Sequence, residues 1–200
     1  HAIGDAAVRD ALDAFEHART THPDKKWVPL RVEHAQIVHP SDMQRFDHLR
    51  VWASMQPTHA TSDMPWAEAR LGPDRIDRGY AWRQALDARV ELAFGSDFPV
   101  EKPDPGLGLW AATTRMALDG TPEGGWRPEE RLTLPEAILA FTEGPNILAG
   151  TEKELGHLDP RMQADLTLWT TEPLHGHERW RAAATIVGGE VVWVAEGVEE

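Results

Sequence analysis

One form recurs along this chain: a short apolar run stops at a polar side chain, and a helix-length amphipathic segment separates it from the next run. Leu92-Ala93-Phe94-Gly95-Ser96-Asp97 carries the form most clearly, delivering one carboxylate where the chain turns into Phe98-Pro99-Val100. Val32-Glu33-His34 ends a second run in a histidine, and His1-Ala2-Ile3-Gly4-Asp5 sets another histidine just ahead of a helix. Strands that alternate with helices build a parallel sheet joined by crossover connections. In barrels made that way, chemistry sits at the C-terminal ends of the strands. Two histidines and an aspartate, each at a strand end, form a donor set suited to a divalent metal.

Taken in order, the pattern predicts a helix from Gly4 to about Arg19, with Val8, Ala11, Leu12 and Phe15 on one face. Trp27 to Glu33 reads as a strand that Pro29 weakens in its first half. Pro40-Ser41-Asp42 has the form of a helix cap, with Met43, Phe46 and Leu49 behind it, and Val51 to Met55 is the next strand. Gln56 to Asp74, interrupted by Pro57, Pro65, Gly72 and Pro73, reads as a long loop. Ile76 to Ala88 is expected to be one helix, and Val90 to Phe94 the strand that feeds Asp97. Leu107 to Leu118 reads as helical and Asp119 to Arg131 as a Gly/Pro-rich excursion. Thr133-Leu-Pro-Glu136 has the capping-box form and opens a helix that Gly144-Pro145 should break. The tail changes texture: Ala164–Trp169 and Ala184–Val194 are strand-like, with Gly188-Gly189 marking a hairpin.

Only three or four strand–helix units fit into 200 residues, whereas a closed eight-stranded barrel typically takes ~250. The expected fold is therefore α/β: the C-terminal part of a (β/α)8 TIM-like barrel over residues 1–152, then strands of a small β-sandwich subdomain over 153–200. His1 stands where a strand should just have ended, so truncation upstream of it is the expectation, and a leader there is left open. A half-barrel exposes strand edges and helix faces, so the isolated chain is expected to self-associate, as a homo-oligomer or an aggregate. The 20 Lys and Arg against 33 Asp and Glu argue against a nucleic-acid or anionic-membrane partner. The chain has no cysteine, which excludes thiolate metal sites and fits a reducing, cytoplasmic compartment. No apolar run approaches the ~20 residues of a membrane span.

Four segments taken together resemble the amidohydrolase superfamily, in particular its N-substituted formamide deformylase-like branch. They are His1-Ala-Ile-Gly-Asp5, Glu33-His34-Ala-Gln36, Ser54-Met-Gln-Pro57 and Gly95-Ser-Asp-Phe-Pro-Val100. Gly156-His-Leu-Asp-Pro160 with Ala164-Asp165-Leu166 is similar to that family's passage into its terminal sandwich, apart from Arg161 where the family has Gly. Val187-Gly-Gly-Glu-Val-Val192 is similar to its closing hairpin. The resemblance implies a metal-dependent barrel in which His1 follows the fifth strand, His34 the sixth and Asp97 the eighth. It implies that His1 and His34 bind one divalent ion, usually zinc, with one or two ions in the intact protein. Asp97 would contact the other ion or the hydrolytic water and act as general acid/base. The family's His-x-His pair and its bridging Lys or Glu have no counterpart in these residues, so catalysis by the chain alone is not expected.

Each residue also has a plainer reading. His34 alone in an apolar strand would be a hydrogen-bonded core histidine; its partnership with His1 and Asp97 favours a ligand. Asp97 could cap a turn after Gly95-Ser96, but the apolar strand before it needs no cap. His59, in Gln56-Pro-Thr-His59, follows a strand end and could face substrate or only pack. Trp66 could line a substrate pocket or anchor a loop. Glu33 and Gln36 flank His34 and could orient it or be solvated. His39 reads as a turn residue, and His175 and His177 as members of a polar loop. The expected function is hydrolysis of a small-molecule amide- or formamide-type, non-peptide C–N bond. A deaminase, an ester or lactone hydrolase, or a non-catalytic scaffold that kept the fold are the alternatives.

Overall fold

The computed structural model describes residues 1–170 and 181–197, so His175 and His177 lie outside the described residues. Helices and strands alternate as α1 (Asp5–Thr21), β1 (Leu30–Glu33), α2 (Pro40–Leu49), β2 (Val51–Met55), α3 (Pro57–Leu71), α4 (Pro73–Ile76), α5 (Trp82–Asp87), β3 (Leu92–Phe94), α6 (Pro105–Thr114) and α7 (Leu134–Ala149). The antiparallel strands β4 (Leu166–Trp169), β5 (Ala182–Val187) and β6 (Glu190–Val194) follow.

β1, β2 and β3 form a parallel sheet in chain order, with Val32 opposite Ala53 and Ala53 opposite Leu92. Ahead of β1, Ala2 makes a parallel bridge to His34, and its N–H donates to the Glu33 carbonyl at 3.0 Å. Residues 1–3 therefore run beside β1 and end level with it. The core lies under these strands. Val32, Val51, Ala53, Met55, Leu92 and Phe94 are buried against Val8 and Leu12 of α1, Phe46 of α2 and Ala137 and Ala140 of α7. Val8 and Leu12 fall four residues apart on one helical face, with Ala11 and Phe15 packed at its margin, as the spacing requires.

Helix α2 begins differently from the expectation. His39 is its N-cap, its Nδ1 accepting from the Ser41 N–H at 3.2 Å, with Pro40 pre-set for the first turn. Asp42 is instead buried between Arg9 and Arg45, whose guanidinium groups hold its carboxyl low despite the opposing effect of burial.

Three further departures share one cause, tertiary contacts overriding the local pattern. The expected loop from 56 to 74 is mostly α3, which carries Pro65 inside it. Pro65 has no N–H for the turn before it, yet buried Ala60 and Ala67 pack the helix into the core. Gly144-Pro145 does not break α7. Gly144 lies against β3, where an added Cβ would meet the Leu92 carbonyl oxygen at 2.4 Å. Conversely, the helix expected over 76–88 splits into α4 and α5, because Gly79 bridges to Ile37 and the Tyr80 N–H donates to the Gln36 carbonyl at 2.7 Å. Tyr80 takes a left-handed φ of 51° there.

The Gly/Pro-rich excursion is tied down by Arg115, the residue that ends α6. Its guanidinium is fully buried, donates to the Tyr80 and Trp126 carbonyls at 2.8 and 2.9 Å, and stacks between Trp82 and Trp126. Burial pulls its pKa down to about 10. The hairpin at Gly188-Gly189 forms as expected, both residues taking φ above +60°, as its turn geometry demands. No helix among the described residues is long and apolar enough to cross a membrane.

Candidate metal centre

At the C-terminal edge of the parallel sheet the three strands release three polar groups toward one another. β1 ends at Glu33, and His34 takes a left-handed φ of 77°, followed by Ala35 at 45°. That sharp exit is fixed by the His34 N–H donating to the Ser54 carbonyl at 2.8 Å and the Ala35 N–H to the Ala2 carbonyl at 3.0 Å. β2 ends at Met55 and passes through Gln56 into the first turn of α3, which carries His59. β3 ends at Phe94, and Asp97 adopts a φ of 56° three residues on. Left-handed non-glycine residues are uncommon and persist where surrounding structure over-determines them, often at functional sites. Two of the three side chains here stand on such a residue.

Donor atoms of His34, His59 and Asp97 all lie within 4.8 Å of one another. His34 and His59 are buried, with near-parallel rings 5.9 Å apart, while the Asp97 side chain is 39% exposed. His59 Nε2 stands 3.9 Å from Asp97 Oδ2, a separation too long for a hydrogen bond. His1 is exposed and sets its ring edge-on to His34 with 4.5 Å between centroids. The structure therefore brings together all four of His1, His34, His59 and Asp97.

Two glutamines fix the imidazoles. His34 Nδ1 lies 3.0 Å from Gln56 Oε1, and His59 Nδ1 lies 3.2 Å from Gln36 Nε2. Gln36 thus contacts His59 rather than its sequence neighbour His34. The sequence assigns Gln56 no role; its signals are its place directly after a strand end and within the Ser54-Met-Gln-Pro57 segment. Glu33 closes β1 directly before His34, near enough for the two to interact electrostatically. Its carboxyl pairs with Arg31. Burial would raise its pKa, but hydrogen bonds with Ser54 and Arg31 outweigh that and hold it low. Trp66 sits two helical turns beyond His59, about 10 Å along the axis; it is 48% exposed and its ring is covered by Arg70. The structure does not bring it into the cluster.

Burial pushes the His59 imidazole below its ordinary pKa, against the opposing pull of Glu101, Asp63 and Asp97. The ring is therefore neutral near pH 7, the form in which an imidazole can bind a metal or give a neutral N–H bond. Its Nε2 is buried without a hydrogen-bond partner among the described residues. An orphaned buried nitrogen facing a carboxylate, beside a second imidazole, fits an ion or a polar substrate atom between them. Two imidazoles and a carboxylate suit zinc and its first-row neighbours.

Comparison with known proteins identifies the family. The sequence pattern of the amidohydrolase family matches residues 1–193. The putative amidohydrolase YtcJ of Bacillus subtilis is 32% identical over 96% of this chain and 36% of its own length. The N-substituted formamide deformylase of Arthrobacter pascens is 28% identical over 87% of this chain and 31% of its own. Among solved structures, an uncharacterized metal-dependent hydrolase from Pyrococcus horikoshii superposes with a TM-score of 0.70 at 31% identity, covering 82% of this chain and 32% of that one. The chain spans about a third of the length of the curated relatives it matches.

Proposed function

This chain belongs to the amidohydrolase family, and from that premise we propose that it supplies part of the active site of a metal-dependent hydrolase of small-molecule amide-type C–N bonds. The observation that carries this reading is the convergence of His34, His59 and Asp97, from three successive strand ends, with donor atoms inside 4.8 Å. In this reading residues 1–152 are barrel strands and helices and residues 153–200 belong to a β-sandwich subdomain. The parallel order of β1, β2 and β3 and the antiparallel order of β4, β5 and β6 support that division.

His34, with Asp97 and His1 beside it, would hold a divalent ion, most simply Zn2+. When bound, that ion supplies Lewis acidity, bringing the pKa of water toward ~7 and polarising the scissile carbonyl. The chain's own residues do the rest. Asp97, more exposed than the buried His34 and His59, accepts the proton of the attacking water and returns it to the departing amine. Gln56 holds His34 in one orientation by accepting from its Nδ1–H. Burial of His34 and His59 limits the ways water can reach the ion. His59 meets the substrate.

The test is hydrolysis by the full-length gene product across N-formyl and N-acyl amines, amino-heterocycles, esters and lactones, before and after chelation and zinc return. Release of amine from the amide-type members, lost on chelation and restored by zinc, is the expected result. Preference for an amino-heterocycle or an ester would move the reading to a deaminase or esterase. A folded protein with no hydrolysis and no response to chelation would overturn it in favour of a scaffold.

A further inference from the structure

The two buried histidines are held by glutamines of opposite polarity. Gln56 offers its carbonyl oxygen to His34 Nδ1 at 3.0 Å. Its amide nitrogen is turned to the Ser54 carbonyl at 3.4 Å, so a rotated amide would set oxygen against oxygen. An acceptor at Nδ1 requires Nδ1–H, which leaves the His34 Nε2 lone pair bare, as a metal ligand must be. Gln36 presents the reverse group. Its amide nitrogen lies 3.2 Å from His59 Nδ1, and an N–H donor there requires a bare Nδ1. A neutral ring then carries its proton on Nε2.

The surroundings of His59 Nε2 point the same way independently. That atom is buried without a hydrogen-bond partner among the described residues and lies 3.9 Å from Asp97 Oδ2. An N–H aimed at a carboxylate is attracted to it, whereas a bare lone pair is repelled. The support behind Gln36 is firm. Its backbone carbonyl accepts from the Tyr80 N–H at 2.7 Å, which holds the main chain from which the side chain reaches His59. Tyr80 is itself buried, with its carbonyl bonded by Arg115 and its phenol donating to Asp63, which lies one turn beyond His59 on α3. Tyr80 thus braces His59 from two sides, through Gln36 and through α3.

From this geometry we infer that Gln36 fixes His59 as the Nε2–H tautomer, so that His59 is not a metal ligand but a neutral hydrogen-bond donor to the carbonyl oxygen of the substrate beside Asp97. His34, set in the opposite tautomer by Gln56, is the ligand. The inference rests on the hydrolase reading for the identity of the acceptor, but not for the tautomer. A fixed donor aimed where negative charge develops acts on the transition state more than on the bound substrate. Gln36 is a positioning residue, since it acts through His59.

The experiment is the long-range 1H–15N correlation spectrum of the histidine rings in full-length, 15N-histidine-labelled protein, metal-free and zinc-loaded, with signals assigned by single variants. Nε2–H for His59 and Nδ1–H for His34 in both forms is expected. Gln36→Glu, which replaces the donor by an acceptor, should reverse His59 to Nδ1–H. His59→Ala should retain the full metal content while kcat falls about 10²–10³-fold, the range for loss of an oxyanion donor. His59→Gln, whose amide N–H reaches a similar position, should recover part of that loss. An Nδ1–H signal for His59 in the wild type, or loss of a metal equivalent in His59→Ala, would overturn the inference. A protein that binds no metal but shows Nε2–H would overturn the hydrolase reading and the substrate contact while upholding the tautomer.

Discussion

Replacing Gly144 by alanine tests whether α7 is pressed onto β3 as closely as the structure shows. In an exposed helix the change would stabilise by about 1 kcal/mol, the propensity difference between the two residues. Here the new methyl would stand 2.4 Å from the Leu92 carbonyl oxygen, 3.1 Å from Ala93 Cα and 3.3 Å from Ala93 Cβ. Carbon–oxygen contacts ordinarily begin near ~3.3 Å, so the helix and strand must part by most of an ångström. All three obstacles belong to β3, two of them backbone atoms and the third a Cβ fixed to the backbone, so none can rotate aside as a longer side chain would. Overpacking of this kind typically costs ~1–3 kcal/mol, leaving a net loss of up to about 2 kcal/mol after the propensity gain. For a chain of this length each kcal/mol moves the thermal midpoint by about 2–4 °C, so Gly144→Ala should melt up to ~8 °C below the wild type. Gly95→Ala, where an added Cβ meets nothing within 4 Å, is the control. Calorimetry on the two variants reads the difference. A midpoint for Gly144→Ala above that of the wild type would refute the close approach, and with it the explanation of why α7 runs through Gly-Pro.

Glu130 and Glu136 give two further expectations. Glu130 is buried and accepts from the Arg83 and Gln84 N–H groups at 3.0 and 3.2 Å, capping α5; Glu130→Ala should cost about 1–3 kcal/mol per orphaned donor, read as a lower urea midpoint with an unchanged m-value. Hydrogen bonds from Arg83 lower the Glu136 carboxyl to about 2, against some opposing burial. Because the folded pKa lies below the unfolded one, the stabilisation is present above about pH 4.5 and is lost as pH falls toward 2. Glu136→Gln should flatten the thermal midpoint against pH over that window; an acid limb as steep as the wild type's would contradict it. The pair is partly solvent-exposed, so the effect should be small.

Much of the arrangement was legible because it rests on local rules. Val8 and Leu12, the capping box at Thr133 and Glu136, and the Gly188-Gly189 hairpin follow from period, cap chemistry and turn geometry, and each appears in the structure. The expected metal set of His1, His34 and Asp97, with His59 left open between substrate contact and packing, rests on each residue following a strand end, and parallel strands bring such ends to one edge. The misreadings came from long-range contacts that no local window contains. Pro65 and Gly144-Pro145 look like breakers until the buried faces of α3 and α7 are known, whereas the split after Ile76 depends on Gly79 meeting Ile37, more than forty residues away. The glutamine pairing was hidden for the same reason. Gln36 is two residues from His34 but turns to His59, and Gln56 is three residues from His59 but turns to His34.

The central claim is that these strand ends hold a divalent metal for hydrolysis. Elemental analysis of the full-length gene product after exhaustive dialysis tests it most directly, repeated on His34→Ala and Asp97→Ala. One or two equivalents of zinc or a similar ion in the wild type, falling in both variants while their circular dichroism stays native, is the predicted result. Absence of bound metal in a folded wild type, or unchanged metal in both variants, would contradict it.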